Sequence, residues 1–101
     1  NGNGPSASVA GTYVYNNTTL KLNANKTFHY ENKTDYNKGG YMKVTGTGTY
    51  SVSGNIITCT GTWTTLDTKY VEDNEVKEDS RTYEYHGSYL ISEGGYRYDK
   101  K

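Results

Sequence analysis

The sequence predicts an all-β fold: an antiparallel up-and-down meander of eight or nine short strands, closed into a small barrel. Three observations predict it. Every periodic stretch alternates with period two, and no window repeats apolar residues at the helical spacing between helix caps. The composition is strand and turn chemistry: 12 tyrosines and 15 threonines favour a pleated surface, while 12 glycines and 10 asparagines favour turns. The strands are also too closely spaced for the long crossovers of parallel pairing, so neighbours in sequence must pair as hairpins.

Strands are expected at residues 9–15, 18–23, 27–32, 41–52, 56–64, 66–71, 81–85, 89–92 and 96–99. Asn16-Asn17 turns the chain between the first two, and residues 23–26 (Asn-Ala-Asn-Lys) between the next two. Gly54-Asn55 closes the long central hairpin, and His86-Gly87 and Glu93-Gly94-Gly95 close the last two. A flat meander of this length would leave two edges and a bare face. Closure into a barrel, or folding into two packed layers, removes that liability.

The central hairpin, residues 46–64, reads GTGTYSVSGNIITCTGTWT and has two distinct sides. A two-residue turn at Gly54-Asn55 pairs Val52 with Ile57, Tyr50 with Cys59, Gly48 with Gly61 and Gly46 with Trp63, all on the inward side. The other side carries Thr45, Thr47, Thr49, Thr58, Thr60, Thr62 and Thr64, an expected outward ladder of cross-strand pairs. The inward glycines make a groove without side chains. Either Trp63 fills that groove, or the tryptophan borders a pocket.

Composition bounds the chemistry. Leu, Ile, Val and Phe supply only 14 of 101 residues, so the core must be built largely from tyrosine and Trp63, each able to bury on the order of 150–250 Å². The net charge is zero with scattered Lys and Arg, which lacks the basic stripe that nucleic-acid binding requires. The single cysteine, Cys59, excludes an internal disulfide and a cysteine metal cluster, and its inward position makes it a small core hydrophobe. No apolar run approaches the ~18 residues of a membrane helix. The opening NGNGPSAS, residues 1–8, reads as a flexible linker ahead of a single domain at 9–101, which leads us to expect an anchor or another domain upstream.

Catalytic chemistry has little support. His29 shares a strand face with Glu31, and His86 with Glu84, but the aromatic neighbours Phe28, Tyr30, Tyr83 and Tyr85 take the inner side and leave both pairs outside. No nucleophile elbow or phosphate loop is present, and no cofactor is expected. Residues 67–79, DTKYVEDNEVKED, carry six acids and two lysines and read as an acidic loop without EF-hand spacing. Tyr36 and Tyr41 flank a turn at 37–40; they suit either stacking on a partner or stapling that turn.

The run GTYVYNNTTLKLNANKTFHY, followed by GTYSVSGNIITCTGTW and by YEYHGSYLISEGGYRY, resembles the small lipocalin-like barrel domains of bacterial extracytoplasmic lipoproteins. Thr19, Leu20, Leu22, Asn25, Thr27, Phe28 and Tyr30 match one hairpin motif of those domains, and Gly48, Tyr50, Ser51, Val52, Gly54, Asn55 and Ile57 match another. Cys59 stands where a leucine is usual, the G-x-W of true lipocalins is absent, and so is the CxxC of copper-responsive barrels. The resemblance implies a monomeric, exported, non-enzymatic protein at the cell surface or in the periplasm, touching the membrane only through an upstream lipid anchor. Two functions follow as expectations. One is a small apolar or amphiphilic ligand held in the barrel by Trp63, Tyr50, Tyr83, Tyr85 and Tyr98; the other is a surface module for protein or glycan with a filled core.

Overall fold

The computed structural model describes residues 9–101, so the expected linker at 1–8 lies outside the described residues. Eight antiparallel strands follow one another around a closed barrel: β1 (Gly11–Tyr15), β2 (Thr18–Leu22), β3 (Thr27–Asp35), β4 (Tyr41–Ser53), β5 (Ile56–Asp67), β6 (Glu75–Tyr85), β7 (Tyr89–Ser92) and β8 (Arg97–Lys100). Each strand pairs with the next, and β8 returns to β1 through Tyr13↔Lys100 and Val14↔Asp99. The meander and its closure are therefore as the period-two pattern predicts.

The turns follow their residue types. Asn16, at φ 52°, sits in the two-residue connection between Tyr15 and Thr18, a left-handed conformation that asparagine tolerates. Gly54, at φ 62°, takes the first central position between Ser53 and Ile56, where a type II′ hairpin turn wants glycine. That turn sets the register of the long hairpin: Val52↔Ile57, Tyr50↔Cys59, Gly48↔Gly61 and Gly46↔Trp63. On the opposite side Thr45↔Thr64, Thr47↔Thr62 and Thr49↔Thr60 stand as cross-strand pairs. The ladder extends to β6 by hydrogen bonds from Thr62 to Glu78 (2.6 Å) and between Thr60 and Ser80 (2.8 Å).

The core is built from Tyr13, Leu20, Leu22, Phe28, Tyr30, Tyr50, Ile57, Cys59, Trp63, Tyr83, Leu90 and Tyr98, with Val9 ahead of β1. One end of the barrel is capped. There the Tyr13 hydroxyl donates to the Val9 carbonyl (2.7 Å) and the Tyr50 hydroxyl to the Asn23 carbonyl (2.7 Å), so both phenols enter the core with a partner.

Strand lengths are unequal, and this shapes the other end. β1, β2, β7 and β8 have five, five, four and four residues, whereas β3 to β6 have nine to thirteen. β2 pairs with β3 only as far as Thr18↔Asn32, and β7 pairs with β6 only between Tyr83↔Ser92 and Tyr85↔Leu90. Residues 33–35 and 75–82 thus run on without β2 or β7 beside them, and β3 to β6 form a four-stranded apron beyond the closed ring.

Two expectations for the segment after Trp63 are corrected. No separate strand occupies 66–71: β5 runs unbroken to Asp67, and a single 3₁₀ turn (Val71–Asp73) follows. Local side-chain bonds decide this. The Asp67 carboxylate accepts from the N–H groups of Lys69 (2.9 Å) and Tyr70 (2.7 Å), and Asn74 accepts from the Asp67 N–H, which turns the chain out of the strand. The acidic stretch 67–79 is not one loop either, since β6 begins at Glu75. Its first residues lie on the apron with solvent on both faces, so charge replaces the apolar alternation that would have marked a strand.

The glycine groove is closed by packing. A methyl carbon at Gly46 would lie 2.4 Å from the Trp63 ring, at Gly48 2.1 Å from the Thr60 carbonyl oxygen, and at Gly61 2.0 Å from the Thr47 carbonyl oxygen. Trp63 therefore fills the space over Gly46, while at Gly48 and Gly61 the two backbones approach each other too closely for any side chain. Gly61→Ala and Gly48→Ala should each lower stability by about 1–3 kcal/mol or more through overpacking against backbone, whereas Thr47→Ala on the exposed side should change it by less than about 0.5 kcal/mol. Urea midpoints of the three variants check this; equal midpoints would contradict the close approach.

Candidate functional site

The unequal strands leave an opening where the ring ends and the apron continues. Its walls are the ends of β1 and β2 (Tyr15, Thr18), the strands that continue into the apron (Tyr30 on β3; Arg81, Thr82 and Tyr83 on β6), and the end of β7 with the β7–β8 connection and β8 (Ser92, Glu93, Gly94, Tyr96, Tyr98). They enclose a cleft of about 380 Å³, within the range of sites that take a small molecule. Five tyrosines give it an aromatic lining.

The rings pack in a continuous series. Tyr15 lies 5.2 Å from Tyr96 and 5.6 Å from Tyr98, and Tyr98 meets Tyr83 edge-on at 5.8 Å. On the apron side Tyr30 meets Trp63 edge-on at 5.1 Å, and Phe28 lies 5.5 Å behind the indole. Such offset and edge-on arrangements hold aromatic walls in place. On the rim, Glu93 accepts from the Thr82 N–H (3.0 Å) and hydroxyl (2.8 Å), tying the β7–β8 connection to β6.

The five residues expected to hold a ligand divide between the barrel's two ends. Tyr83 and Tyr98 line the cleft together. Trp63 is buried behind the wall, with its indole N–H donated to the Asp79 carbonyl (3.2 Å). Tyr50 and Tyr85 lie towards the capped end with Tyr13. The cleft residues missing from that expectation are Tyr15, Tyr30, Tyr96 and Arg81. Strand parity could have found Arg81, because a residue two before inward Tyr83 must face the same side, and it had already turned Tyr30 inward; Tyr96, in the β7–β8 connection, carries no comparable mark.

Burial sets the protonation of these groups. Desolvation, reinforced by the nearby phenols of Tyr85 and Tyr50, pushes Tyr13 up to about 12. Tyr83 and Tyr98 are raised further, chiefly by burial, with the Arg81 charge opposing the shift in both. Burial also pushes the Cys59 thiol up to about 12, which disfavours the reactive thiolate.

His29 and His86 both lie on the outer surface, His29 3.7 Å from Glu31 and His86 2.6 Å from Glu84, with the His86 ring stacked on Tyr89. Among the described residues no three His, Cys, Asp or Glu side chains converge as a metal site. Tyr36 is tied down: its hydroxyl donates to Asp67 (2.6 Å), and Tyr41 exchanges hydrogen bonds with Thr68 across the apron tip. Burial alone would raise the Asp67 carboxyl, but the hydrogen bonds from Tyr36, Tyr70 and Lys69, with the Lys69 charge, outweigh it and hold the group below the usual carboxylate range. These tyrosines staple two hairpin tips together.

No known protein family matches the chain, and no curated protein or solved structure is significantly similar to it.

The phenols carry a pH prediction. Their folded-state values lie above the ordinary ~10 of tyrosine, so the stability they contribute is complete below about pH 10 and is lost as pH rises through about 12. Tyrosinate absorbance should show an early phase from exposed rings and a later, cooperative phase that coincides with loss of the near-ultraviolet circular dichroism. Ionisation of all 12 tyrosines in one ordinary phase, with the dichroism retained, would contradict this.

Proposed function

We propose that this protein is a non-enzymatic binding module that takes a small amphiphilic molecule in the tyrosine-lined cleft beside its filled core. The observation that carries the reading is the cleft itself: about 380 Å³ bounded by five tyrosine rings, at the end of a barrel whose interior is otherwise occupied. Aromatic walls supply apolar contact at small conformational cost, and the tyrosine hydroxyls offer orientation. The resemblance to lipocalin-like domains of bacterial lipoproteins supports an exported setting at the cell surface or in the periplasm.

A second reading, a surface module for a protein or glycan, rests on Leu66, Tyr70, Val71 and Val76. These are 43–68% exposed near the apron tip, away from the cleft. The two readings separate with one neutral probe. Phenylnaphthylamine should fluoresce on binding the folded protein, and Tyr96→Ala should weaken it about 2–10-fold by removing one ring of the wall. Tyr96 is 54% exposed, so the fold should survive its removal. A folded protein that leaves the probe dark, or a Tyr96→Ala variant that binds it unchanged, would favour the surface module.

A further inference from the structure

Within the aromatic cleft stands one cation. β6 alternates Arg81, Tyr83 and Tyr85 on its inner side, so the register that buries Tyr83 also carries Arg81 into the cleft wall. Its guanidinium carbon lies 4.0 Å from the centre of the Trp63 ring and 5.3 Å from that of Tyr30. A cation this close over a ring is held by the ring's negative face, and the guanidinium carries five N–H donors in its own plane. The in-plane donors are uncommitted: among the described residues no carboxylate lies within 4.0 Å of Arg81 and no acceptor within hydrogen-bonding distance.

The neighbouring carboxylates are committed elsewhere. Glu93, the acid in the cleft lining, is held by Thr82; Glu78 accepts from Thr62 on the outer face; Asp79 accepts from the Ser80 N–H. An arginine shut away from water would ordinarily be paired. Arg81 is only partly buried, and its guanidinium keeps its fork for water or a ligand, while the Tyr83 and Tyr98 phenols beside it stay protonated and add no negative charge at neutral pH.

We propose that the cleft selects anionic amphiphiles: a ring or short chain lies against Tyr15, Tyr83, Tyr96 and Tyr98, and an oxyanion such as a carboxylate or sulfonate is received by the guanidinium fork of Arg81. This rests on the cleft being a ligand site and names the chemistry of its occupant. Arginine suits the task because its planar donors match two oxygens at once, and the stacked indole holds the plane in place before the ligand arrives.

A matched pair of probes tests it. Phenylnaphthylamine is neutral, and anilinonaphthalene sulfonate carries the same rings with one sulfonate. The wild-type protein should bind the sulfonate at least about tenfold more tightly, the effect of charge-assisted hydrogen bonds in a partly desolvated site. Arg81→Gln should abolish that preference while weakening the neutral probe far less; Arg81→Lys should keep only part of it, since charge remains and the planar fork does not. Added salt should weaken the sulfonate in the wild type and have little effect in Arg81→Gln. Decanoate should displace the sulfonate probe at a concentration at least about tenfold lower than decanol needs.

Equal affinities for the two probes in the wild type would overturn the proposal, as would an equal loss of both in a folded Arg81→Gln. Should Arg81→Gln fail to fold for want of its stack on Trp63, the wild-type comparison and Arg81→Lys decide. Arg81-dependent binding of the sulfonate with no binding of the neutral probe would uphold the anion site while removing the apolar reading above. Binding of neither would remove both.

Discussion

The close approach of β4 and β5 at Gly48 and Gly61, with the Trp63 indole laid over Gly46, is the constraint on which the rest of the barrel depends. Eight strands enclose a space only wide enough for side chains, and here few of the available side chains are aliphatic. Removing three side chains from the inner face lets the two longest strands coil tightly and leaves room for the largest side chain in the sequence. Trp63 then packs against Phe28 and Tyr30 and carries Arg81 over its ring. Truncation of a buried aromatic of this size typically costs about 3–5 kcal/mol, a large share of the 5–15 kcal/mol that holds a domain folded.

Unequal strand length converts that packed interior into two different ends. The short β1, β2, β7 and β8 leave an opening at one end, where Tyr15, Tyr96 and Tyr98 come together in the cleft wall. At the capped end, the Tyr13 and Tyr50 hydroxyls bond to carbonyls. The same residue type thus does two jobs. Tyrosines whose hydroxyls find a backbone acceptor close the barrel, and those grouped at the opposite mouth line a cleft.

The apron brings a hazard of its own, because along 75–82 β6 pairs with β5 on one edge and has no strand on the other. Its sequence, EVKEDSRT, meets that hazard with charge, which discourages pairing with another chain. The two hairpin tips are fastened by the buried Asp67, which gathers the Tyr36 hydroxyl and the Lys69 and Tyr70 N–H groups, with Lys69 set over both tyrosine rings. Those bonds hold the far end of the sheet without a hydrophobic core beneath it.

Much of the architecture was determined by the sequence alone. Period-two alternation defined the meander, Gly54-Asn55 set the register of the central hairpin, and parity sent the threonines outward and the glycines with Trp63 inward, because each of these is a local property of one or two strands. Two features escaped that reading. The first half of β6 was illegible since solvent on both faces removes the alternation that marks a strand, and the end of β5 was set by side-chain bonds of Asp67 and Asn74. Only the tertiary structure decided that Trp63 fills the groove, that Tyr50 and Tyr85 belong to the opposite end from Tyr83 and Tyr98, and that Arg81 faces a tyrosine cleft. Those outcomes depend on strand lengths and on barrel closure, which bring residues of β1, β3, β6 and β8 around one cleft across distances in sequence that no local pattern spans.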